Sequence, residues 1–108
     1  MSDDKKEVEI ERLSEPLVVV SWGGDKPFKL IGHGFSKKTI DVYVCSNEYG
    51  NDVVPKIKVS IDPNATSTDG FLSVIAHAEP GANNDKVFWI AVNLNGTFQD
   101  AQEGLKVV

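Results

Sequence analysis

From Leu17 onward the chain repeats one pattern, a short apolar run closed by a polar or glycine-containing turn. The runs are LVVVSW (17–22), PFKLIGH (27–33), TIDVYVCS (39–46), VVPKIKVSI (53–61), FLSVIAH (71–77), KVFWIAVNL (86–94) and GLKVV (104–108). Several alternate with a period of two, which sends successive side chains to opposite faces of a strand. In the third run Ile40, Val42 and Val44 share one face, and Asp41, Tyr43 and Cys45 the other. In the fourth, Ile57, Val59 and Ile61 oppose Lys56, Lys58 and Ser60. Pro55 has no N–H to give to a ladder, so the start of that run belongs at a sheet edge. KVFWIAVNL is apolar on both faces, as a central strand is, and Trp89 within it is expected in the core. Asn95-Gly96 turns the chain before the last run. No segment between the runs carries a helical period. The loops are too short or too polar for the helical crossovers of a parallel sheet, so an antiparallel sandwich is the natural solution.

Residues 1–15 stand apart. Asp3, Asp4, Glu7, Glu9, Glu11 and Glu15 outnumber Lys5, Lys6 and Arg12, and the apolar residues are sparse. Val8 and Ile10 alternate with glutamates as in a strand, whereas Ile10 and Leu13 have the spacing of a helical turn. The segment is expected to be a charged N-terminal arm, 1–15. It is either a solvated tail or an arm that docks on a partner through Val8, Ile10 and Leu13. Residues 16–108 form the folded domain, and 108 residues suffice for one domain and not two.

The net charge of −5 argues against nucleic acid or an anionic membrane as the main partner. Cys45 is the single cysteine, so no disulfide can form within the chain. The first residues lack the apolar core of a secretory leader, and no run is long enough to span a membrane.

The stretch LIGHGF (30–35) raises the question of a phosphate loop. A dinucleotide fingerprint needs a third glycine where Lys37 stands, and a helix behind it. Here a strand follows, so Gly32 and Gly34 are read as backbone positions needing positive φ or close approach. The order of pieces resembles the IPT/TIG-like bacterial and phage immunoglobulin-like domains. An apolar strand runs into a G-x-G-F corner (LIGHGF), and a TIDVYV-type strand follows. A D-G-F segment then opens a later strand (Thr68-Asp69-Gly70-Phe71). The apolar VFWIAVN run, Ala101 and the LKVV end complete the order. The resemblance covers about residues 16–108. Together with the strand pattern it implies an all-β fold, an immunoglobulin-like antiparallel β-sandwich of about seven strands with an N-terminal arm. It implies no catalysis, since such domains serve as spacers, adhesion modules and decorations of viral capsids and tails.

No constellation for chemistry is visible. His33 and His77 lack neighbours at metal-ligand spacing, and Cys45 reads as a small buried hydrophobe. The loop 62–70 offers Asp62, Asn64 and Thr66 as oxygen ligands, but lacks the glycine and glutamate of an EF-hand. No metal or other cofactor is expected. Trp22, at a strand end, and Tyr49, in a turn, are candidates for stacking on a sugar.

The function expected is a non-enzymatic structural or interaction module, a virion (capsid or tail) decoration protein made in the host cytoplasm. It would bind a larger protein assembly through the N-terminal arm and a sheet edge, with homo-oligomerisation left open. Deleting residues 1–15 should then leave a folded domain that no longer assembles. The alternative is a carbohydrate-binding or adhesion module from a larger extracellular protein, with Trp22 and Tyr49 on the sugar.

Overall fold

A computed structural model describes residues 7–36 and 39–108. It contains eight strands and, among the described residues, no helix. They are β1 (Glu9–Leu13), β2 (Val18–Val20), β3 (Asp25–His33), β4 (Ile40–Cys45), β5 (Ile57–Ile61), β6 (Phe71–Ala78), β7 (Val87–Leu94) and β8 (Thr97–Val107). They form two four-stranded sheets, in the orders β1-β3-β6-β5 and β2-β8-β7-β4. Every pairing is antiparallel except β2 with β8, which is parallel.

The alternation read on β4 and β5 holds: Ile40, Val44, Ile57 and Val59 are buried, and Asp41 and Lys58 are exposed. On β7, Phe88, Ile90, Val92 and Leu94 point inward, and on β6 Leu72, Val74, Ala76 and Ala78 do. Both sheets feed one hydrophobic cluster, which also holds Phe28, Leu30, Ile57, Val59 and Leu105. Burying a side chain of this size removes apolar area worth about 1.5–3 kcal/mol from water. β8 begins at Thr97, well before the run at 104–108 that the sequence suggests.

The separate arm expected at residues 1–15 is corrected for its described part. Residues 9–13 are β1, an integral strand paired with β3. Val8, Ile10 and Leu13, expected to dock on a partner, are buried in the domain's own core. Their odd spacing has a simple cause. Ile10 pairs with Gly32 and Arg12 with Ile31, so Glu11 is an extra residue in the ladder. Such a bulge shifts the alternation by one and returns Leu13 to the inner face with Ile10. The part of the arm at residues 1–6 lies outside the described residues.

Candidate functional site

The glycine corner is a packing device. A β-carbon on Gly32 would overlap the carbonyl oxygen of Glu9, and one on Gly34 would overlap that of Glu7. Gly34 also has φ +90°, a conformation L side chains rarely adopt. The backbone of the N-terminal segment therefore lies directly on the corner. From the other side the corner is held by the Asp69-Gly70 turn. The Gly32 amide donates to the Gly70 carbonyl at 3.0 Å, the Phe35 amide to the Asp69 carbonyl at 3.2 Å, and the Ser36 hydroxyl to Asp69 Oδ1 at 2.7 Å. The Ser36 bond, helped by the Gly34 and Ser36 amides, holds the Asp69 carboxyl below its ordinary range. The two sequence pieces LIGHGF and Thr68–Phe71 thus meet in space.

The loop considered for calcium uses its oxygens locally. Asp62 Oδ1 accepts the Asn64 amide at 2.9 Å, and the Thr66 carbonyl accepts the Ser73 hydroxyl at 2.6 Å. Among the described residues no group of three His, Cys, Asp or Glu side chains is placed to hold a metal ion. His77 sits opposite Asp25 across the β3–β6 ladder, with Nδ1 2.6 Å from Asp25 Oδ1. His33 lies 3.6 Å from Glu9 on the outer surface.

The aromatic side chains divide differently from the sequence expectation. Trp89 points outward from β7, half-buried, opposite Cys45 on β4 and Glu103 on β8. The core position expected for it is corrected: the inward sites on β7 are the even-numbered residues. Cys45 and Ala91 also point outward, yet both are fully buried. The cover is the hairpin 46–52, which folds back over this face. Tyr43 donates its hydroxyl to the Gly50 carbonyl at 2.7 Å, and Gly50 packs closely on the Phe98 ring. Burial pushes the Cys45 thiol and the Tyr43 phenol above their ordinary values. Tyr49 rides on this hairpin, 66% exposed. Trp22 is 48% exposed, but at a different place, the corner between β2 and β3. Its indole N–H donates to the Ala82 carbonyl at 2.8 Å. Tyr49 thus stands on the hairpin whose Gly50 meets Tyr43 and Phe98, on a different element from Trp22.

The two sides where the sheets meet differ in kind. On one side β1 is the edge of its sheet, and β8 closes it. Gln99 is the extra residue of a β8 bulge, and its side-chain oxygen accepts the Glu7 and Val8 amides at 3.0 and 3.3 Å. Asp100 Oδ2 accepts the Ile10 amide at 2.9 Å. Bulges often re-aim a side chain in this way, and an edge whose amides are occupied is a poor template for further pairing.

On the opposite side, between β4 and β5, an apolar cleft of about 260 Å³ remains open. Val42, Val44, Val54, Pro55, Ile57 and Val59 line it, together with Tyr43 and Lys58. Val53, 60% exposed, stands at its rim, and Ile61 at the far end of β5 is 39% exposed. A second cleft of about 250 Å³, at the bend between β1 and β2, is walled by Arg12, Ser14, Glu15, Gln102 and Glu103, with Leu13 and Pro16. Charged and polar side chains dominate this lining, so it offers an apolar partner less to bury.

β5 is the end strand of its sheet. Its register with β6, the Glu79 amide donating to the Lys56 carbonyl and the Asp62 amide to the Ser73 carbonyl place the even-numbered residues in the hydrogen-bonded pairs. The amides and carbonyls of Ile57, Val59 and Ile61 therefore point away from β6, along the free edge. Lys56 and Lys58 are exposed there, and among the described residues neither is ion-paired. Pro55 gives the sequence signal for this edge; the cleft behind it leaves no such mark.

Compared with known proteins, the chain matches no family model, no curated protein and no solved structure.

Proposed function

We propose that this chain is a non-enzymatic interaction module built on an immunoglobulin-like β-sandwich, related to the IPT/TIG-like domains. In this reading it attaches to a larger protein assembly through a sheet edge. The strand order supports the fold: β1-β3-β6-β5 and β2-β8-β7-β4 follow the A-B-E-D and G-F-C orders of a seven-strand immunoglobulin sandwich. β1 and β2 then count as one interrupted first strand, whose second half pairs parallel to the last.

The observation that carries attachment is the asymmetry between the two sides. One sheet edge is sealed by Gln99 and Asp100, while the other opens on the apolar cleft between β4 and β5. Water gains nothing from contact with Val42, Val54 and the exposed Val53, and a protein partner that covers them recovers that area. The decoration of a virion, with the chain made in the host cytoplasm and displayed on the particle, is the assembly proposed. The test is fractionation of the chain in its own source. Co-migration with a large particle, lost on Val53→Asp, is expected, and migration as a free monomer in every fraction overturns the reading.

The carbohydrate reading has one observation in its favour, the exposure of Trp22 and Tyr49. Their placement on separate elements weakens it, since stacking on one sugar chain needs a shared platform. Glycan binding that falls on both Trp22→Ala and Tyr49→Ala would restore it.

A further inference from the structure

We propose that the free edge of β5 is a strand-addition site for an extended segment of a protein partner, one that alternates apolar with acidic residues. This rests on the attachment reading above and says where attachment occurs and what it recognises. Three independent features converge on that edge. The backbone groups of Ile57, Val59 and Ile61 face outward without a strand to receive them. A new strand there would continue the pleat, so alternate side chains would fall on the cleft side beside Ile57 and Val59. Those positions call for apolar residues that fill the space against Val42 and Val54. The intervening side chains would fall on the outer side, level with Lys56 and Lys58, and would be acidic.

Charge also selects the occupant and the lip of the cleft. Two copies joined β5 to β5 would set lysines against lysines, which opposes self-pairing at this edge. On the β4 lip the exposed charge is Asp41, which repels an acidic segment, and Val53 and Val54 already pair with the end of β4. On the β1 edge the Glu7, Val8 and Ile10 amides are taken by Gln99 and Asp100. β5 alone of these offers free backbone, apolar space and cationic side chains together.

The test uses the full chain and a capped peptide of roughly eight residues alternating valine and glutamate. Binding is read by hydrogen exchange and amide shifts. Slowed exchange at Ile57, Val59 and Ile61 is expected. Lys56→Glu with Lys58→Glu should weaken binding by about tenfold, and a valine–lysine peptide should bind that double variant better than the native chain. Ile61→Pro removes an outward amide and leaves the β5–β6 bonds in place, so it should abolish binding while the thermal midpoint stays near native. Absence of binding, binding insensitive to both changes, or protection at the Tyr49–Phe98 face instead overturns the inference. If the particle still binds the Ile61→Pro chain, only this inference falls. If no particle is bound at all, the attachment reading falls with it.

Discussion

The carbonyl oxygen of Glu9 occupies the space a β-carbon on Gly32 would need. That contact binds the most acidic part of the chain to the corner that most resembles a ligand loop, and it explains both. The corner is glycine because β1 lies on it.

Gly32→Ala is therefore expected to cost on the order of 3 kcal/mol, since the obstacle is backbone and cannot swing aside. Leu13→Ala, which empties a buried site on the same strand, should cost about 2–5 kcal/mol. Deleting residues 1–15 should leave a chain that no longer unfolds cooperatively, the reverse of what a detachable arm would give. Thermal or denaturant melts of the three variants check this, and a native-like melt of the deletion would remove β1 from the core.

Asp100→Ala should destabilise by about 1–3 kcal/mol, because the Ile10 amide loses its acceptor at a part-buried position. The same change uncovers the β1 edge. Concentration-dependent association should appear in the variant by size-exclusion chromatography, with the native chain unaffected at equal concentration.

Cys45 is expected to react slowly with a thiol reagent in the folded protein and quickly in denaturant. It is fully buried, its Sγ lies 3.2 Å from the Asn47 carbonyl, and its pKa is raised, so little thiolate forms at neutral pH. The raised thiol and the raised Tyr43 phenol act on stability in the same direction. Each is neutral in the fold, so their contribution is intact below the ordinary values of 9.0 and 10.0 and is lost as pH climbs past them toward the folded values. Denaturant midpoints should fall above about pH 9, less so in a Cys45→Ala, Tyr43→Phe chain.

Asp69 works at the acid end. Its folded pKa is lowered, so its contribution is present above the ordinary value of 3.8 and disappears as pH drops through the lower folded value. The native chain should lose stability between about pH 5 and pH 2 more steeply than Asp69→Asn does. Equal slopes would mean that the bond to Ser36 contributes nothing in solution.

The strands from β2 to β7 were legible because short apolar runs recur there between turns, with a period of two on β4 and β5, whereas the first half of β8, TFQDAQE, carries no such run. β1 was hidden by two things. The bulge at Glu11 breaks its period, and glutamates dominate its composition. Trp89 looked internal because its whole run is apolar. Its outward face is shielded by the hairpin carrying Gly50, a long-range contact that no local pattern encodes. Pro55 marked the β5 edge. The open cleft beside it depends on how far β4 and β5 stand apart, which only the folded chain fixes.

β2 runs parallel to β8, and the Val108 amide extends the ladder by donating to the Val20 carbonyl at 2.9 Å. Opposed pulls on the two ends of the chain, once β1 has peeled away, would slide these strands lengthwise and strain their bonds together rather than one after another. A fastener loaded that way resists tearing far better than one that unzips.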